Sequence, residues 1–278
     1  MRWRGRAGSS NIEDRRGMGS ALPIGGGIGG IVLLLLFSAL TGQNPLDLIN
    51  SGDGSAPTGQ VGTTGVGDTQ AEFVSVVLKD TEQTWQEIFA GRGDAYEPPV
   101  LVLFTGATQS ACGTGSSAMG PFYCPADRKV YLDLSFFQDL AERFGAPGDF
   151  AQAYVVAHEV GHHVQTITGL SAQLARMRGR VAEEQSNALS VRQELQADCF
   201  AGVWGHYAAQ RGMLEPGDAE EGLGAAAAIG DDRLQKQSQG YVVPESFTHG
   251  SSEERVSWLR RGLESGRLET CDTFNESR

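Results

Sequence analysis

The strongest constraint on this chain is the run His158-Glu159-Val160-Gly161-His162, a His-Glu-x-x-His pattern inside a stretch of helical periodicity. Residues four apart lie on one face of a helix, with Cβ atoms about 5–6 Å apart, so His158 and His162 can bind one metal ion. Glu159 projects beside that face, where its carboxylate can reach a water on the ion without binding the ion. The pattern predicts a zinc site with Glu159 as general base.

The flanking residues predict a helix over residues 149–168, with Asp149 as N-cap and Gly169 as C-terminal stop. Its apolar side chains recur at helical spacing: Phe150, Tyr154, Val155, Val160, Val164 and Ile167. His163 lies about 100° round the helix from His162, so we expect it to pack or hydrogen-bond. We expect Gly161 to allow close approach of another backbone, and we assign no role to His206. The alternative is an ordinary helix whose histidines bind no metal.

A zinc site needs a third protein ligand, and a catalytic site usually leaves the fourth position to water. Residues 190–204 have helical periodicity, and within them Glu194 and Asp198 lie four apart on one face. We predict that Glu194 binds the zinc ion and that Asp198 accepts a hydrogen bond from an imidazole, preferably that of His158. The alternative is two solvated acids on an exposed helix face. The apolar flanks and the missing third ligand favour the zinc role.

The other periodicities predict a mostly helical α+β domain with a small sheet. Residues 72–90 form an amphipathic pattern that Gly91 ends, and residues 100–105 and 129–134 are typical of short strands. Further helices are expected within 171–189, 219–239 and 252–263, the last with a serine N-cap. A length of 278 residues fits one catalytic domain and a tail. The net charge of -12 argues against a nucleic-acid surface.

The first 70 residues have a different composition. Residues 22–40 are uncharged and just long enough to cross a bilayer of about 30 Å. Arginines precede this segment, whereas no Lys or Arg occurs between residues 41 and 78. This asymmetry predicts a cytoplasmic segment 1–21, one transmembrane helix 22–40, a flexible Gly/Ser/Thr-rich tether 41–70 and an extracytoplasmic domain 71–278. A cleaved signal peptide is the alternative, although residues 38–40 lack a clear cleavage site. Gly25/Gly29 and Gly26/Gly30 would allow weak self-association of such helices, but a Gly-rich composition alone explains them.

The chain has four cysteines, Cys112, Cys124, Cys199 and Cys271. In a domain outside the cytoplasm an even number favours disulfides, and four cysteines allow three pairings. We prefer Cys112 with Cys124, which closes the loop between the two strands, and Cys199 with Cys271, which pins the tail to the core. Reduced thiols are the alternative, and Cys199 is a weaker candidate for a metal ligand than Glu194.

Together these motifs resemble known peptidases. Glu-x-x-x-Asp after His-Glu-x-x-His is the arrangement of the gluzincin metallopeptidases, in which the glutamate is the third zinc ligand. More closely, the chain resembles the bacterial neutral zinc metallopeptidase family over nearly its whole length apart from the tether. Segments 1–6, 11–17, 120–127, 158–163, 194–202 and 246–250 carry the resemblance. It implies a membrane-anchored, zincin-like metallopeptidase with one zinc ion per chain.

His249 lies in a loop before the last predicted helix, in the run Thr-His-Gly-Ser-Ser-Glu-Glu-Arg. That run resembles the Thr-His-Pro segment before a Glu-Glu-Arg helix in another membrane-linked gluzincin family, although Gly250 replaces the proline. The resemblance implies a position near the zinc ion, and our hypothesis is that His249 donates a hydrogen bond to the oxyanion of the tetrahedral intermediate. The alternative is a loop histidine that holds local structure.

The resulting expectation is a membrane-anchored zinc metalloendopeptidase. Zinc held by His158, His162 and Glu194 would lower the pKa of its water, and Glu159 would take the proton and pass it to the leaving amine. By analogy between folds, the peptide would lie beside the strand at residues 100–105 and pair with its main chain. The rival is a membrane-tethered binding or scaffold protein whose metal is not catalytic, and a hydrolase of non-peptide amides is a third reading.

Overall fold

The computed structural model describes residues 1–17 and 68–275. Its helices and strands, in chain order, are β1 (Ile12–Asp14), α1 (Thr69–Ala90), β2 (Val100–Phe104), β3 (Ala107–Ser110), β4 (Gly113–Ser116), β5 (Phe122–Cys124), β6 (Lys129–Asp133), α2 (Ser135–Glu142), α3 (Asp149–Ile167), α4 (Leu170–Arg178), α5 (Glu183–Gln210), α6 (Asp218–Ala228), α7 (Asp231–Gln239) and α8 (Ser252–Ser265). Short 3-10 turns occupy Ser117–Met119, Pro244–Ser246 and Leu268–Cys271. The predicted α+β class, mostly helical with a small sheet, is confirmed.

The predicted transmembrane helix at residues 22–40 lies outside the described residues, and so does the tether apart from residues 68–70. The glycine pairs considered for self-association lie in the same undescribed stretch. Among the helices that the structure describes, none has the length and apolar composition needed to span a membrane.

The main sheet has the strand order β1-β2-β6-β5. Strands β1, β2 and β6 are parallel, and β5 is antiparallel to β6. Both predicted strands are present as β2 and β6, but Leu101 of β2 is paired with Ile12 on one side and with Val130 on the other. Strand β2 therefore has no free edge, and the expected peptide position beside residues 100–105 is wrong. Strand β5 has a single neighbour within the described sheet.

The helices form the larger part of the core, with α3 packed against α1, α5 and α6. Helix α3 begins as predicted, but its N-cap is Gly148 at φ 133°, and Asp149 is the first helical residue. The Asp149 carboxylate accepts a hydrogen bond of 2.8 Å from the Met1 ammonium instead. The helix expected over residues 219–239 is two helices, α6 and α7, because Gly230 lies against the backbone of Ser252, at the start of α8.

Residues 1–17 belong to the same folded body as the residues after 68. Trp3 is buried in the main core, and β1 extends the sheet beyond β2. Ser9 and Asn11 donate to the buried carboxylate of Glu82, at 2.5 and 2.7 Å. The domain boundary drawn near residue 71 is therefore wrong, because the sheet and the core include residues from the N-terminal segment.

Helices α5 and α8 cross with their backbones in contact. A Cβ atom on Gly262 would lie 2.1 Å from the carbonyl oxygen of Cys199, and one on Gly202 would lie 2.2 Å from that of Leu259. Only glycine permits this separation, since real Cβ atoms do not approach other atoms so closely. The crossing fixes α8 against the part of α5 that carries Glu194 and Asp198.

Both disulfides pair the cysteines in the preferred way. Cys112–Cys124 joins the β3–β4 hairpin to strand β5, and Cys199–Cys271 joins helix α5 to the C-terminal turn. Cys199 is thus oxidised and is not a candidate metal ligand.

Candidate metal centre

The His-Glu-x-x-His run lies in the middle of α3, where this helix passes against α5. His158 and Glu159 are buried, and a Cβ atom on Gly161 would lie 3.0 Å from the carbonyl oxygen of Ala197. The small residue at position 161 lets the two helices approach, as expected from the sequence. This approach brings the histidine face of α3 onto the acidic face of α5.

His158, His162 and Glu194 each offer a ligand atom, and these atoms lie within 4.8 Å of one another. The Nε2 atom of His158 is 3.1 Å from Oε2 of Glu194, and the Nε2 atom of His162 is 3.4 Å from Oε1. The three residues that the sequence analysis selects as ligands are therefore brought together. Two imidazole nitrogens and one carboxylate that line a cleft are a donor set that would suit catalytic zinc.

Each imidazole is oriented through its other nitrogen. His158 Nδ1 is 2.8 Å from Oδ1 of Asp198, and His162 Nδ1 is 2.9 Å from Oε1 of Gln165. Both partners offer oxygen acceptors, so each Nδ1 donates and each Nε2 keeps the lone pair that binds a metal. The position of Asp198 agrees with its predicted role, whereas Gln165 was not singled out from the sequence.

Asp198 is fully buried and accepts four hydrogen bonds. Besides His158, its donors are Tyr154 Oη at 2.6 Å and Arg255 Nε and Nη2 at 2.8 and 2.9 Å. Burial alone would raise the pKa of Asp198, but Arg255 and His158 together outweigh burial and lower the pKa to about 2. The carboxylate therefore stays ionised and holds the His158 ring. Arg255 was missed because it is 57 residues from Asp198 in sequence.

Glu159 differs from the other acids of the site. The residue is 8% exposed, and its buried Oε2 atom has no hydrogen-bond partner among the described residues. Burial raises the pKa of Glu159. Buried carboxylate oxygens are normally paired, and Glu159 lines the cleft beside the candidate ligands, so its carboxylate is suited to bind and deprotonate a water molecule.

His249 lies in the wall of the same cleft, before α8. Its Nδ1 is 3.3 Å from Oδ1 of Asp231, and Oδ2 of Asp231 accepts from the backbone N–H groups of Thr248 and His249, both at 2.7 Å. The hydrogen bond to Asp231 raises the pKa of His249, which favours the imidazolium form that donates from both nitrogens. Asp231, the first residue of α7, was also missed from the sequence.

The cleft has a volume of about 490 Å³. Residues 117–123, which include the first two residues of strand β5, line it, and so do residues of α2, α3, α7 and the loop with His249. Its polar lining includes the three candidate ligands, Glu159 and His249, and its apolar lining includes Phe136, Phe144 and Val155. A long substrate can therefore lie across the candidate ligands with strand β5 on one side.

The other histidines of the described residues lie outside this group. His163 is fully buried; its Nε2 donates to the Glu97 carbonyl at 2.7 Å and its Nδ1 is 3.1 Å from the Tyr123 hydroxyl. It thus packs and hydrogen-bonds, as expected. His206 Nδ1 donates to the Leu263 carbonyl at 2.8 Å and supports the packing of α5 on α8.

Comparisons with known proteins agree with this geometry. A family model described as "Putative neutral zinc metallopeptidase" matches residues 1–274. "Uncharacterized protein YpfJ" of Escherichia coli (strain K12) is 50% identical over 287 aligned residues that cover both chains completely. "Uncharacterized protein Rv2575" of Mycobacterium tuberculosis (strain H37Rv) is 40% identical over 248 residues, 84% of this chain and 80% of that one. No solved structure matches.

Proposed function

Since this chain belongs to the family described as "Putative neutral zinc metallopeptidase", we propose that it is a zinc-dependent peptidase of zincin-like fold that hydrolyses peptide bonds in the cleft beside strand β5. The observation that carries the proposal is the arrangement of the three candidate ligands and Glu159 around the cleft. Three ligand atoms lie within 4.8 Å of one another, and Glu159, whose carboxylate keeps one oxygen unpaired among the described residues, lines the same cleft. Cleavage within a chain and attachment to a membrane are predictions from the sequence.

His158, His162 and Glu194 would hold the ion, with Asp198 and Gln165 orienting the two imidazoles. When bound, a zinc ion supplies Lewis-acid polarisation and makes a water molecule more acidic. The Glu159 carboxylate takes the proton of the attacking water and later delivers it to the leaving amine. Its raised pKa makes this carboxylate a stronger base than an exposed glutamate. The charge on Arg255 keeps Asp198 ionised throughout.

Two other parts of the cleft act on the peptide. Strand β5 has one neighbour in the described sheet, so its other edge can pair with an extended substrate main chain. Its Phe122 and Tyr123 line the cleft, which gives the peptide a defined direction past the zinc ligands. His249, held by Asp231, donates a hydrogen bond to the oxyanion as the carbonyl becomes tetrahedral.

The test is Glu159→Gln in the full chain, with Glu253→Gln as matched control. Glu253 is exposed, and its substitution makes the same change of charge outside the cleft. Glu159→Gln should keep one zinc ion per chain, measured by mass spectrometry of the metal, and lower peptide turnover about 10²- to 10⁴-fold. The control should keep both.

The competing function is a binding or scaffold protein with a non-catalytic metal. It predicts that the wild-type chain binds zinc, cleaves no member of a diverse peptide library, and behaves like Glu159→Gln. The unpaired carboxylate oxygen favours the peptidase, because a structural zinc site gives Glu159 no task that outweighs the cost of its burial.

A further inference from the structure

A second cavity, lined by cationic side chains, shares one lining residue with the cleft. This cavity has a volume of about 320 Å³ and is lined by Arg143, Arg233, Lys236 and Gln237. Arg143 also lines the main cleft, so the two spaces adjoin at that side chain. Helix α7 faces both, since its Leu234 lines the main cleft while Arg233 and Lys236 line the second cavity.

Within the described part of the chain, acidic side chains do little to neutralise these cations. Arg233 and Lys236 are exposed and form no salt bridge with any described residue, and no acidic side chain lines the second cavity. Arg143 pairs with Asp139 at 3.4 Å, but this contact is largely exposed and contributes little. In a protein with a net charge of -12, such a group attracts anions to one end of the cleft.

Building on the proposed function, we propose that this second cavity is a subsite for acidic side chains of the peptide substrate. A peptide that lies across the zinc ligands and leaves the cleft past Arg143 brings its flanking residues between Arg233 and Lys236. Aspartate and glutamate are the residues that guanidinium and ammonium groups bind there by charge-assisted hydrogen bonds. The enzyme therefore prefers peptides with an acidic segment on one side of the cleaved bond.

The experiment uses the zinc-loaded full chain and a peptide library made from a digested proteome, with cleavage sites read by mass spectrometry. Wild type should show Asp and Glu enriched about 3- to 10-fold at positions on one side of the cleaved bond, as expected for two partly exposed ion pairs. Arg233→Glu with Lys236→Glu should abolish this enrichment or reverse it towards Lys and Arg. Arg176→Glu with Arg180→Glu is the matched control, because it makes the same charge change outside both cavities and should keep the wild-type preference.

The outcomes separate the two proposals. If wild type cleaves nothing, the proposed function fails. If wild type cleaves peptides without an acidic preference, or if the α7 double variant keeps that preference, the subsite is overturned. A third outcome would also overturn the subsite: the wild-type chain binds anionic vesicles, the α7 double variant does not, and the two have the same cleavage preference. A lipid surface would then be the partner of these cations.

A second inference comes from the N-terminal segment. Strand β1 pairs with β2 in parallel, Trp3 is in the core, and Arg16 forms an ion pair with Asp68. The two described ranges therefore meet where the stretch 18–67 begins and ends. A single crossing of a membrane within that stretch would require β1 to leave the sheet and Trp3 to leave the core.

We infer that residues 1–17 and 68–275 lie on the same side of any membrane to which the chain is attached, and that no net crossing occurs between them. This replaces the sequence-based arrangement of a cytoplasmic N-terminus and an outer domain. That arrangement followed from charge asymmetry alone, whereas the pairing of β1 with β2 depends on tertiary contacts. It does not depend on the proposed activity.

The test is the full chain with one epitope tag inserted after Gly17 and another at the C-terminus, expressed in a bacterium. Spheroplasts are treated with protease with and without detergent. Loss of both tags, or protection of both until detergent is added, supports a common side. Loss of one tag with protection of the other before detergent would overturn the inference.

Discussion

The close crossing of α5 and α8 can be tested by adding one methyl group at its centre. Gly262→Ala would place a Cβ atom 2.1 Å from the Cys199 carbonyl oxygen and 2.7 Å from the Val203 nitrogen. The first of these distances falls short of ordinary contact, 3.4 Å, by about 1.3 Å. Both neighbouring atoms are backbone, so no side chain can rotate away. The two helices must therefore separate.

The expected cost follows from two opposing effects. Overpacking of a tight interior usually costs about 1–3 kcal/mol, and backbone neighbours place this site at or above the upper end. Alanine in place of glycine inside a helix returns about 1 kcal/mol. The net loss of unfolding free energy should be about 2 kcal/mol, roughly a 30-fold change in the ratio of folded to unfolded chain. The melting temperature should fall by about 4–8 °C.

Gly224→Ala in α6 is the matched control, because a Cβ atom there would meet nothing within 4 Å. It should gain up to about 1 kcal/mol from helix propensity alone. Both variants are compared with wild type by thermal and urea unfolding with the disulfides oxidised. Equal melting temperatures for Gly262→Ala and wild type, or equal shifts for the two variants, would refute the close crossing.

The same substitution should also reach the metal site. Arg255 lies two turns before Gly262 on α8, and it holds Asp198 of α5 by two hydrogen bonds. Separation of the helices should weaken this pair and loosen the His158 ring. We expect zinc affinity to fall in Gly262→Ala and to stay at the wild-type value in Gly224→Ala, measured by competition with a chromophoric chelator.

Three other perturbations test the site and the N-terminal segment. Asp198→Asn removes the charge that orients His158 and should weaken zinc binding about 10- to 100-fold in the same competition assay; an unchanged affinity would contradict the role. His249→Ala should lower turnover about 10²- to 10³-fold while the zinc content stays at one ion per chain, and unchanged turnover would remove the oxyanion role. The pKa of Glu13 lies below its usual 4.5 because of hydrogen bonds to Arg15 and Lys129, and that of Asp14 lies below 3.8 because of Arg16. Their contribution to stability is present above about pH 4.5 and is lost as the pH falls through the lowered pKa values. Limited proteolysis should therefore release residues 1–17 at acid pH first, and equal resistance of this segment at neutral and acid pH would contradict the ion pairs.

The residues of the candidate metal centre were the part of the structure that could best be predicted from the sequence. His158 and His162 are neighbours because of helical periodicity alone, and Glu194 and Asp198 obey the same rule on a second helix. Short strands followed from composition, whereas the four cysteines left three disulfide pairings open, of which the structure has the preferred one. The predicted separation of residues 1–21 from the folded domain was wrong because it, too, used only a local pattern. A basic segment before an apolar one is a local pattern, and it carries no information about a strand that pairs with residue 101.

The sequence by itself thus determined the two helices that carry the candidate ligands, the glutamate beside them, and the mostly helical character of the chain. Tertiary structure alone decided that Arg255 holds Asp198, that Asp231 holds His249, and that β2 is enclosed on both edges by β1 and β6. The physical reason is the separation in sequence between the residues that are in contact. Periodicity records which side chains share a face within a few turns, whereas contacts between distant segments depend on how closely two backbones approach. Here Gly202 and Gly262 set that distance.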